Sequence, residues 1–171
     1  MVREVLIYPD RRLKLVSHDV ENFDAKLHAL LEDMKETMYA SDGIGLAAIQ
    51  IGVAQNVLII NLADEDGEQR PENLEEIINP VILEAHGSVT YQEGCLSVPS
   101  VYEDTERKES IEVRYFDRDG VMIEKKLEGL MAIAFQHELD HLQGHLFIEK
   151  LSYLKRKKFE KEWKKKIKEG K

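Results

Sequence analysis

The segment EGLMAIAFQHELDHL, residues 128–142, predicts a long apolar helix around which the rest of the fold is expected to pack. His137 and His141 are four residues apart in this segment, so both imidazoles project from the same face of the helix, about one turn apart. Ile133 lies one turn earlier on that face, which places the histidines in the core-facing stripe. With Glu138 after the first histidine, the segment has the HExxH pattern of zinc hydrolases, although two satisfied core histidines would have the same spacing.

Two alternating segments before this helix predict a hairpin. SIEVRYF (110–116) and VMIEKKL (121–127) flank the turn sequence DRDG, and Val121, Ile123 and Leu127 are expected on one face. The other predicted elements are a helix capped by Asn22 that ends near SDGIG, a buried strand at 56–62, a loop at 64–73, a strand at 77–85 with its proline at an edge or bulge, and an amphipathic helix from Leu151 onward. Because no regular βαβ alternation appears, the predicted class is α+β, with antiparallel β-sheets around a central HExxH-bearing helix and a C-terminal helix.

Length and charge bound the domain organisation and the partners. The 171 residues predict a single catalytic domain at 1–150, with a basic amphipathic C-terminal helix at 151–171 that belongs to the same domain. Residues 151–171 contain 10 Lys and Arg and 3 Glu, whereas the whole chain has a net charge of −9. The body is therefore strongly acidic, and DNA is not an expected partner. The apolar run Val5–Ile7 is too short for a signal peptide and no segment resembles a membrane span, so a cytoplasmic location is expected.

The third protein ligand of such a metal site has several candidates in the sequence. His145 is near, but Gly144 is expected to end the helix before it, and the metzincin pattern HExxHxxGxxH needs a histidine where the chain has Phe147. A zincin-type glutamate on a second helix would have to be one of Glu149, Glu160, Glu162 and Glu169. The first of these is too close in sequence for a returning helix, and the others lie on the lysine-rich tail.

The single cysteine, Cys95, is the remaining candidate. It stands in EGCLSVP (93–99), a sequence typical of a loop or strand end that presents a thiol. One cysteine and two histidines leave a fourth position for water, as in open catalytic zinc sites. Cys95 could also be inert core or the nucleophile of a thiol hydrolase, but a thiol hydrolase needs no metal and leaves Glu138 without a function.

Three segments together resemble the peptide deformylase family. QEGCLSVP (92–99) and QHELDH (136–141) match two of its motifs, and GIGLAAIQIG (43–52) is similar to its GxGLAAPQxG, in the family's order and with similar spacing. YPDRRLK near the N-terminus and LSYLKR at the start of the last helix are also similar, so the resemblance covers nearly the whole chain. Members of this family remove the formyl group from the N-terminal methionine of newly made bacterial and organellar proteins.

The resemblance implies hydrolysis of an N-formyl amide to formate and a free amine. It implies a metal ion held by Cys95, His137 and His141, with metal-bound water as the nucleophile, whose pKa the ion lowers toward ~7. Glu138 would take the proton of that water as general base and pass it to the leaving nitrogen as general acid.

The resemblance also implies two oxyanion donors and a peptide-binding cleft. The donors would be the side chain of Gln50 and the backbone N–H of Leu96, although Gln50 by itself would be interpreted as an ordinary polar residue. The implied substrate-binding residues are Gly43, Ile44, Gly45, Gly94, Leu130, Ile133 and Ala134. Gly43 and Gly45 would let a peptide main chain approach closely and pair by strand addition. The apolar residues of this set would form a methionine pocket with His137, although they could equally be ordinary core residues. Glu93 and Arg107 are expected to form a salt bridge behind the metal ligands.

Two positions depart from the family pattern. Ile49 replaces the usual proline before Gln50, which predicts a looser placement of that oxyanion donor. Tyr102 stands where some members have an arginine near the cleft, which leaves the preferences beyond the first residue of the peptide open.

The cofactor and the further partners follow from the same resemblance. One thiolate and two imidazoles suit several divalent ions, and the family indicates Fe²⁺, with Ni²⁺, Co²⁺ or Zn²⁺ as alternatives. The C-terminal segment has Leu151, Leu154, Phe159, Trp163 and Ile167 on a rough stripe. Its lysines are either a solvated face of a capping helix or a docking surface for ribosomal RNA.

Three functions remain to be separated. The first is a deformylase acting on formyl-Met nascent peptides, and the second is a zincin-type metallopeptidase with a different third ligand. The third is a ribosome-associated factor that is not an enzyme and whose metal is purely structural.

Overall fold

The computed structural model describes residues 1–169 and has the predicted α+β architecture. The helices are α1 (Ala25–Ala40), α2 (Gly129–Leu142) and α3 (Tyr153–Lys168), and the strands are β1 (Gly45–Ala47), β2 (Val57–Ile60), β3 (Glu75–His86), β4 (Val89–Cys95), β5 (Val98–Arg107), β6 (Ser110–Phe116) and β7 (Met122–Glu128). Short 3-10 turns lie at Arg11–Lys14, Ala48–Ile51, Pro71–Asn73 and Phe147–Lys150. None of the helices within residues 1–169 has the length and apolar composition that a bilayer crossing requires.

Two antiparallel sheets surround α2, which confirms the predicted fold class. Five strands form one sheet in the order β1-β2-β3-β6-β7, and β4 pairs with β5 in a separate hairpin. Helix α2 packs against β1, β2, β6 and β7 through side chains such as Ala132 and Phe135, which are fully buried. Strand β1 lies at the edge of the larger sheet, so one side of its main chain is not paired within that sheet.

The strand predictions hold with local corrections. The register of β3 against β6 shifts between Ile78 and Val81, so Pro80 lies at a bulge as predicted. In the hairpin of β6 and β7, Asp117 accepts hydrogen bonds from the N–H groups of Asp119 and Val121. Val121 therefore precedes β7 and is exposed, so it is not part of the strand face on which it was predicted with Ile123 and Leu127.

Helix α1 begins two residues later than predicted. Its N-cap is Asp24, whose side chain accepts a hydrogen bond from the N–H of Leu27 at 3.1 Å, so Asn22 is not the cap. The helix ends at Ala40, before Asp42 with φ of 55° and Gly43, in agreement with the predicted break. The chain enters β1 directly from this break, which places GIG beside α2.

Helix α3 packs on the N-terminal segment by only part of the predicted stripe. Phe159 and Trp163 are buried against Tyr8, and the indole N–H donates to the backbone oxygen of Tyr8 at 3.0 Å. Leu154 and Ile167, two other residues of the predicted stripe, are 78% and 49% exposed. The helix itself starts after Leu151, at a Ser152 cap, and residues 170–171 of the predicted segment lie outside the described residues.

Candidate metal centre and peptide cleft

Three potential metal ligands converge from two elements. Cys95 is the last residue of β4, and His137 and His141 lie on α2. Their ligand atoms lie within 4.8 Å of one another, with 3.3 Å from Cys95 Sγ to His141 Nε2 and 3.2 Å between the two Nε2 atoms. A tetrahedral ion with bonds of 2.0–2.3 Å would set such atoms about 3.3–3.6 Å apart. The donor set and the spacing therefore fit a divalent transition-metal ion.

A buried ion pair orients the first histidine. Nδ1 of His137 lies 2.8 Å from Glu93 Oε1, and in the neutral ring this contact leaves the lone pair of Nε2 directed at Cys95 and His141. Glu93 in turn accepts two hydrogen bonds from Arg107, at 2.7 and 2.8 Å, and both side chains are buried. The predicted salt bridge is thus present.

The surroundings of the cluster shift the pKa values of its ionisable groups in different directions. Burial by itself raises the pKa of Glu93, but the hydrogen bonds from Arg107 and His137 lower this pKa to about 2. Burial lowers the pKa of His137, yet contacts with Cys95 and Glu93 raise it well above its usual value. Burial and the charges of His137 and Arg107 lower the pKa of His141. Glu93 and Cys95, whose contacts raise the pKa of His137, would also stabilise a metal cation beside that ring.

Glu138 lies beside the three ligand atoms with one oxygen unpaired. Its Oε1 is 4.0 Å from His137 Nε2, and no hydrogen-bond partner of its buried Oε2 occurs among residues 1–169. Burial raises the pKa of Glu138 to about 7, although the neighbouring His137 opposes this shift. A carboxylate with a pKa near neutrality and a vacant oxygen can accept a proton from water and return it.

Gln50 is fixed close to the cysteine. Its Oε1 accepts a hydrogen bond from the N–H of Ala47 at 2.9 Å, and its Nε2 donates to Ser97 Oγ at 3.0 Å and lies 3.5 Å from Cys95 Sγ. The side chain is 1% exposed. The looser placement expected from Ile49 is not observed, because these contacts hold the amide without a proline.

A cleft of about 690 Å³ opens beside these groups. All seven residues predicted to bind substrate line it, together with Glu93, Leu96, Gln50, Cys95, His137 and Glu138. One wall, here called the histidine wall, consists of α2 and the hairpin β4–β5. The other, the glycine wall, is the segment 43–51, which contains GIG, β1 and Gln50. Tyr102 also lines the cleft and is 64% exposed.

At three glycines of the cleft, a Cβ atom would lie very close to a neighbouring side chain. A Cβ atom on Gly45 would lie 2.8 Å from Glu138 Oε1, and one on Gly43 would lie 2.8 Å from Leu96 Cδ1. A Cβ on Gly94 would lie 2.6 Å from the ring of Tyr102. Contacts below 3.0 Å force a neighbour to move, so side chains at these positions would narrow the cleft or displace Glu138.

The alternative third ligands lie elsewhere. The side chain of His145 is 58% exposed and pairs with Glu149 at 3.4 Å, beyond Gly144 with φ of 83°. Glu160 pairs with Arg156 along α3. Within residues 1–169, the His, Cys, Asp and Glu group that can hold a metal ion is the one with Cys95.

Sequence reasoning missed three polar residues of the site. Ser97 accepts the hydrogen bond from Gln50, and its place two residues after Cys95 was the available signal. Gln136 and Asp140 contact the end of β5 from α2. Both lie inside QHELDH, where they have the same four-residue spacing as the histidines.

Comparison with known proteins identifies the family of this chain. The family model described as polypeptide deformylase matches residues 2–157. A peptide deformylase of Helicobacter pylori strain G27 is 54% identical over 161 residues, which are 94% of this chain and 92% of that protein. One from Campylobacter jejuni serotype O:2 is 52% identical and covers 100% of this chain and 98% of its own.

A solved structure agrees with this similarity. The crystal structure of a peptide deformylase from Legionella pneumophila superimposes with a TM-score of 0.89 at 40% identity, covering 100% of this chain and 99% of that one. Sequence and structure thus match over nearly the full length, and the recognition of the three motifs is confirmed. This chain belongs to the peptide deformylase family, whose members are metal-dependent hydrolases that remove the N-formyl group from nascent peptides.

Proposed function

We propose that Cys95, His137 and His141 hold the catalytic metal ion and that Glu138 is the general base and acid. The observation that carries this proposal is the convergence of one sulfur and two Nε2 atoms within 4.8 Å, beside a buried carboxylate. We further propose Fe²⁺ as the ion, since a thiolate and two imidazoles suit it and the family indicates it. Such an ion supplies Lewis acidity and makes water a nucleophile near neutral pH.

The protein's own groups then move protons and stabilise charge. Glu138 accepts the proton of the attacking water and delivers it to the leaving nitrogen, for which a pKa near 7 is suited. Negative charge develops on the formyl oxygen, where Gln50 Nε2 and the N–H of Leu96 can donate. Because Gln50 is anchored through Ala47 and Ser97, its N–H is directed before substrate arrives. Loss of such a donor typically lowers the rate about 10²–10³-fold.

We propose that the peptide binds along the edge strand β1. β1 is the edge strand of its sheet and its first residue, Gly45, lines the cleft, so an extended peptide could add to it by main-chain hydrogen bonds. The methionine side chain would enter between the apolar residues Ile44, Leu130, Ile133 and Ala134 and the ring of His137. Ile44 and Leu130 are 43% and 36% exposed, which leaves apolar surface for this side chain to cover.

Formate release tests the function and separates its alternatives. A formyl-Met peptide incubated anaerobically should yield formate, and a chelator should abolish the reaction. Cys95→Ala should lose the metal, and Glu138→Ala should keep the metal but lose turnover. A metallopeptidase with another third ligand would tolerate Cys95→Ala and cleave unformylated peptides. A factor with a structural metal would keep its function in Glu138→Ala.

We propose the ribosome as a further partner, reached through α3. Lysines 158, 161 and 165 are exposed, and Trp163 anchors the helix on Tyr8 of the N-terminal segment, which supports the proposal that the helix and the cleft belong to one domain. Changing these three lysines to Gln should abolish co-sedimentation with ribosomes at low salt, since phosphate contacts are electrostatic. The matched control changes the exposed lysines 14, 26 and 126 to Gln. Equal loss in both variants would contradict a specific role of α3.

A cytoplasmic location follows from this substrate and this partner.

A further inference from the structure

Helix α2 carries a second pair of residues at the spacing of its two histidines. Gln136 and Asp140 are also four residues apart, and both contact the end of β5. Gln136 Oε1 accepts a hydrogen bond from the N–H of Lys108 at 2.9 Å, and its Nε2 donates to the backbone oxygen of Lys108 at 2.9 Å. Asp140 Oδ2 accepts a hydrogen bond from Arg107 Nη1 at 2.6 Å.

These contacts join the two elements that carry the ligand atoms. Cys95 lies on β4, which pairs with β5, whereas His137 and His141 lie on α2. The distance from sulfur to imidazole therefore depends on how the hairpin β4–β5 is seated on the helix. Apolar packing of the hairpin on Phe147 holds it nearby, but such packing is not directional. The hydrogen bonds of Gln136 with Lys108 and of Asp140 with Arg107 are directional, so they favour one register of the hairpin on the helix.

Asp140 also completes the chain of charges that orients His137. Arg107 donates hydrogen bonds from Nε and Nη2 to Glu93 and from Nη1 to Asp140. The two carboxylates together fix the orientation of its guanidinium group. Glu93 then contacts Nδ1 of His137. Asp140 is the outermost member, with its side chain 20% exposed at the floor of a second cleft of about 760 Å³.

We infer that Gln136 and Asp140 are positioning residues that set the register between the cysteine ligand and the histidine ligands. The inference rests on the proposed metal-binding role of Cys95, His137 and His141. Neither residue lines the peptide cleft, so both act through other residues. Their loss should loosen the hold on the metal without changing how peptide binds.

The rate at which the loaded protein releases Ni²⁺ to a chromophoric chelator measures how firmly the site retains the metal. Asp140→Asn keeps the shape of the side chain and removes its charge, and Gln136→Met keeps length and removes both hydrogen bonds to Lys108. We expect each variant to release Ni²⁺ about 10–100-fold faster than the parent, as is typical for residues that orient metal ligands. The rise in Tm on adding Ni²⁺ should shrink in both, while KM for a formyl-Met peptide stays unchanged.

The control is Asp33→Asn on α1. Asp33 has a side chain of similar exposure, 16%, and also pairs with an arginine, Arg3, at 2.7 Å, but it is not among the residues of the cleft. If Asp140→Asn and Gln136→Met release Ni²⁺ at the rate of Asp33→Asn, the inference is wrong and the proposed site stands. If the parent protein itself binds no Ni²⁺ and releases no formate, the proposed metal site and function are contradicted, whatever the two variants do.

Discussion

The two walls of the cleft are built by different interactions. The histidine wall is held by charged and amide side chains, of which the buried Arg107 and Glu93 are the centre. The glycine wall is held through main-chain groups: the oxygen of Ile44 accepts from the N–H of Asn61 at 2.8 Å, and the oxygen of Gly43 accepts from Gln69 Nε2 at 2.9 Å.

This difference fits the roles that we propose for the two walls. A metal site needs three side-chain atoms at fixed separations, so the groups behind them are directional and charged. A surface that pairs with a peptide backbone needs its own backbone exposed, so it uses glycine and is stabilised from behind. Substitutions of the charged groups behind the first wall should therefore act on stability and metal binding, and substitutions in the glycine wall should act on catalysis and peptide binding.

The largest expected effect is the loss of the buried arginine. Arg107→Leu leaves Glu93 buried without its partner, which typically destabilises a protein by about 3–5 kcal/mol. The control Arg114→Leu breaks an ion pair with Glu124 of the same length, 2.7 Å, that is about half exposed and should contribute less than about 1 kcal/mol. Urea unfolding of the metal-free proteins measures both. Similar losses in the two variants would contradict a special role of the buried pair.

The second-largest effect is expected where the glycine wall contacts Glu138, the proposed general base. In Gly45→Ala the new methyl group, 2.8 Å from Glu138 Oε1, must displace that side chain, and a shift of about 1 Å can lower kcat about 10²-fold. Gly43→Ala meets the flexible end of Leu96 instead and should raise KM more than it lowers kcat. Steady-state kinetics of fully loaded enzymes separates the two. Equal kcat in Gly45→Ala and the parent would rule out the contact as a constraint.

A smaller effect should follow from the support behind the glycine wall. Gln69 Nε2 donates to the backbone oxygens of Gly43 and Asn61, at 2.9 and 2.8 Å. Gln69→Met removes both donors, each worth about 0.5–1.5 kcal/mol, so KM for a formyl-Met peptide should rise about 5–10-fold. The exposed Gln143, outside the cleft, gives the control Gln143→Met. An unchanged KM in Gln69→Met would show that Gln69 does not support the segment of the glycine wall to which the peptide is proposed to bind.

The smallest effect is expected at the residue that departs from the family pattern. Ile49→Pro would restore the proline before Gln50, but the amide is already fixed through Ala47 and Ser97. The rate of formate release should therefore change less than about threefold, within the tolerance of a core substitution that alters shape modestly. A large gain in kcat would mean that Gln50 is poorly positioned in the parent protein.

The same contrast explains what could be predicted from the sequence. The histidine spacing in α2 and the hairpin β6–β7 follow from local periodicity, and the structure has both. The hairpin β4–β5 was not predicted as strands, because the residues it buries include Glu93, Thr105 and Arg107, whose burial depends on partners distant in sequence. Local pattern carries no information on such partners.

Two other features of the structure were not predicted for the same reason, namely that they depend on partners distant in sequence. Strand β1 has only three residues, so alternation cannot indicate it, and its pairing with β2 forms it. Gln136 and Asp140 would be interpreted as the polar face of a helix, and only the position of β5 gives them a role. The candidate site residues could be named from the sequence because three motifs together resemble one family, not because spacing alone determines their geometry.

The most direct test of the central claim is a crystal structure of the Co²⁺-loaded protein with anomalous scattering. One strong peak should lie about 2.0–2.3 Å from Cys95 Sγ and from Nε2 of both His137 and His141. A peak at His145 and Glu149, or one that persists in Cys95→Ala at the same histidines with full formate release, would contradict the assignment of the cysteine as the third ligand.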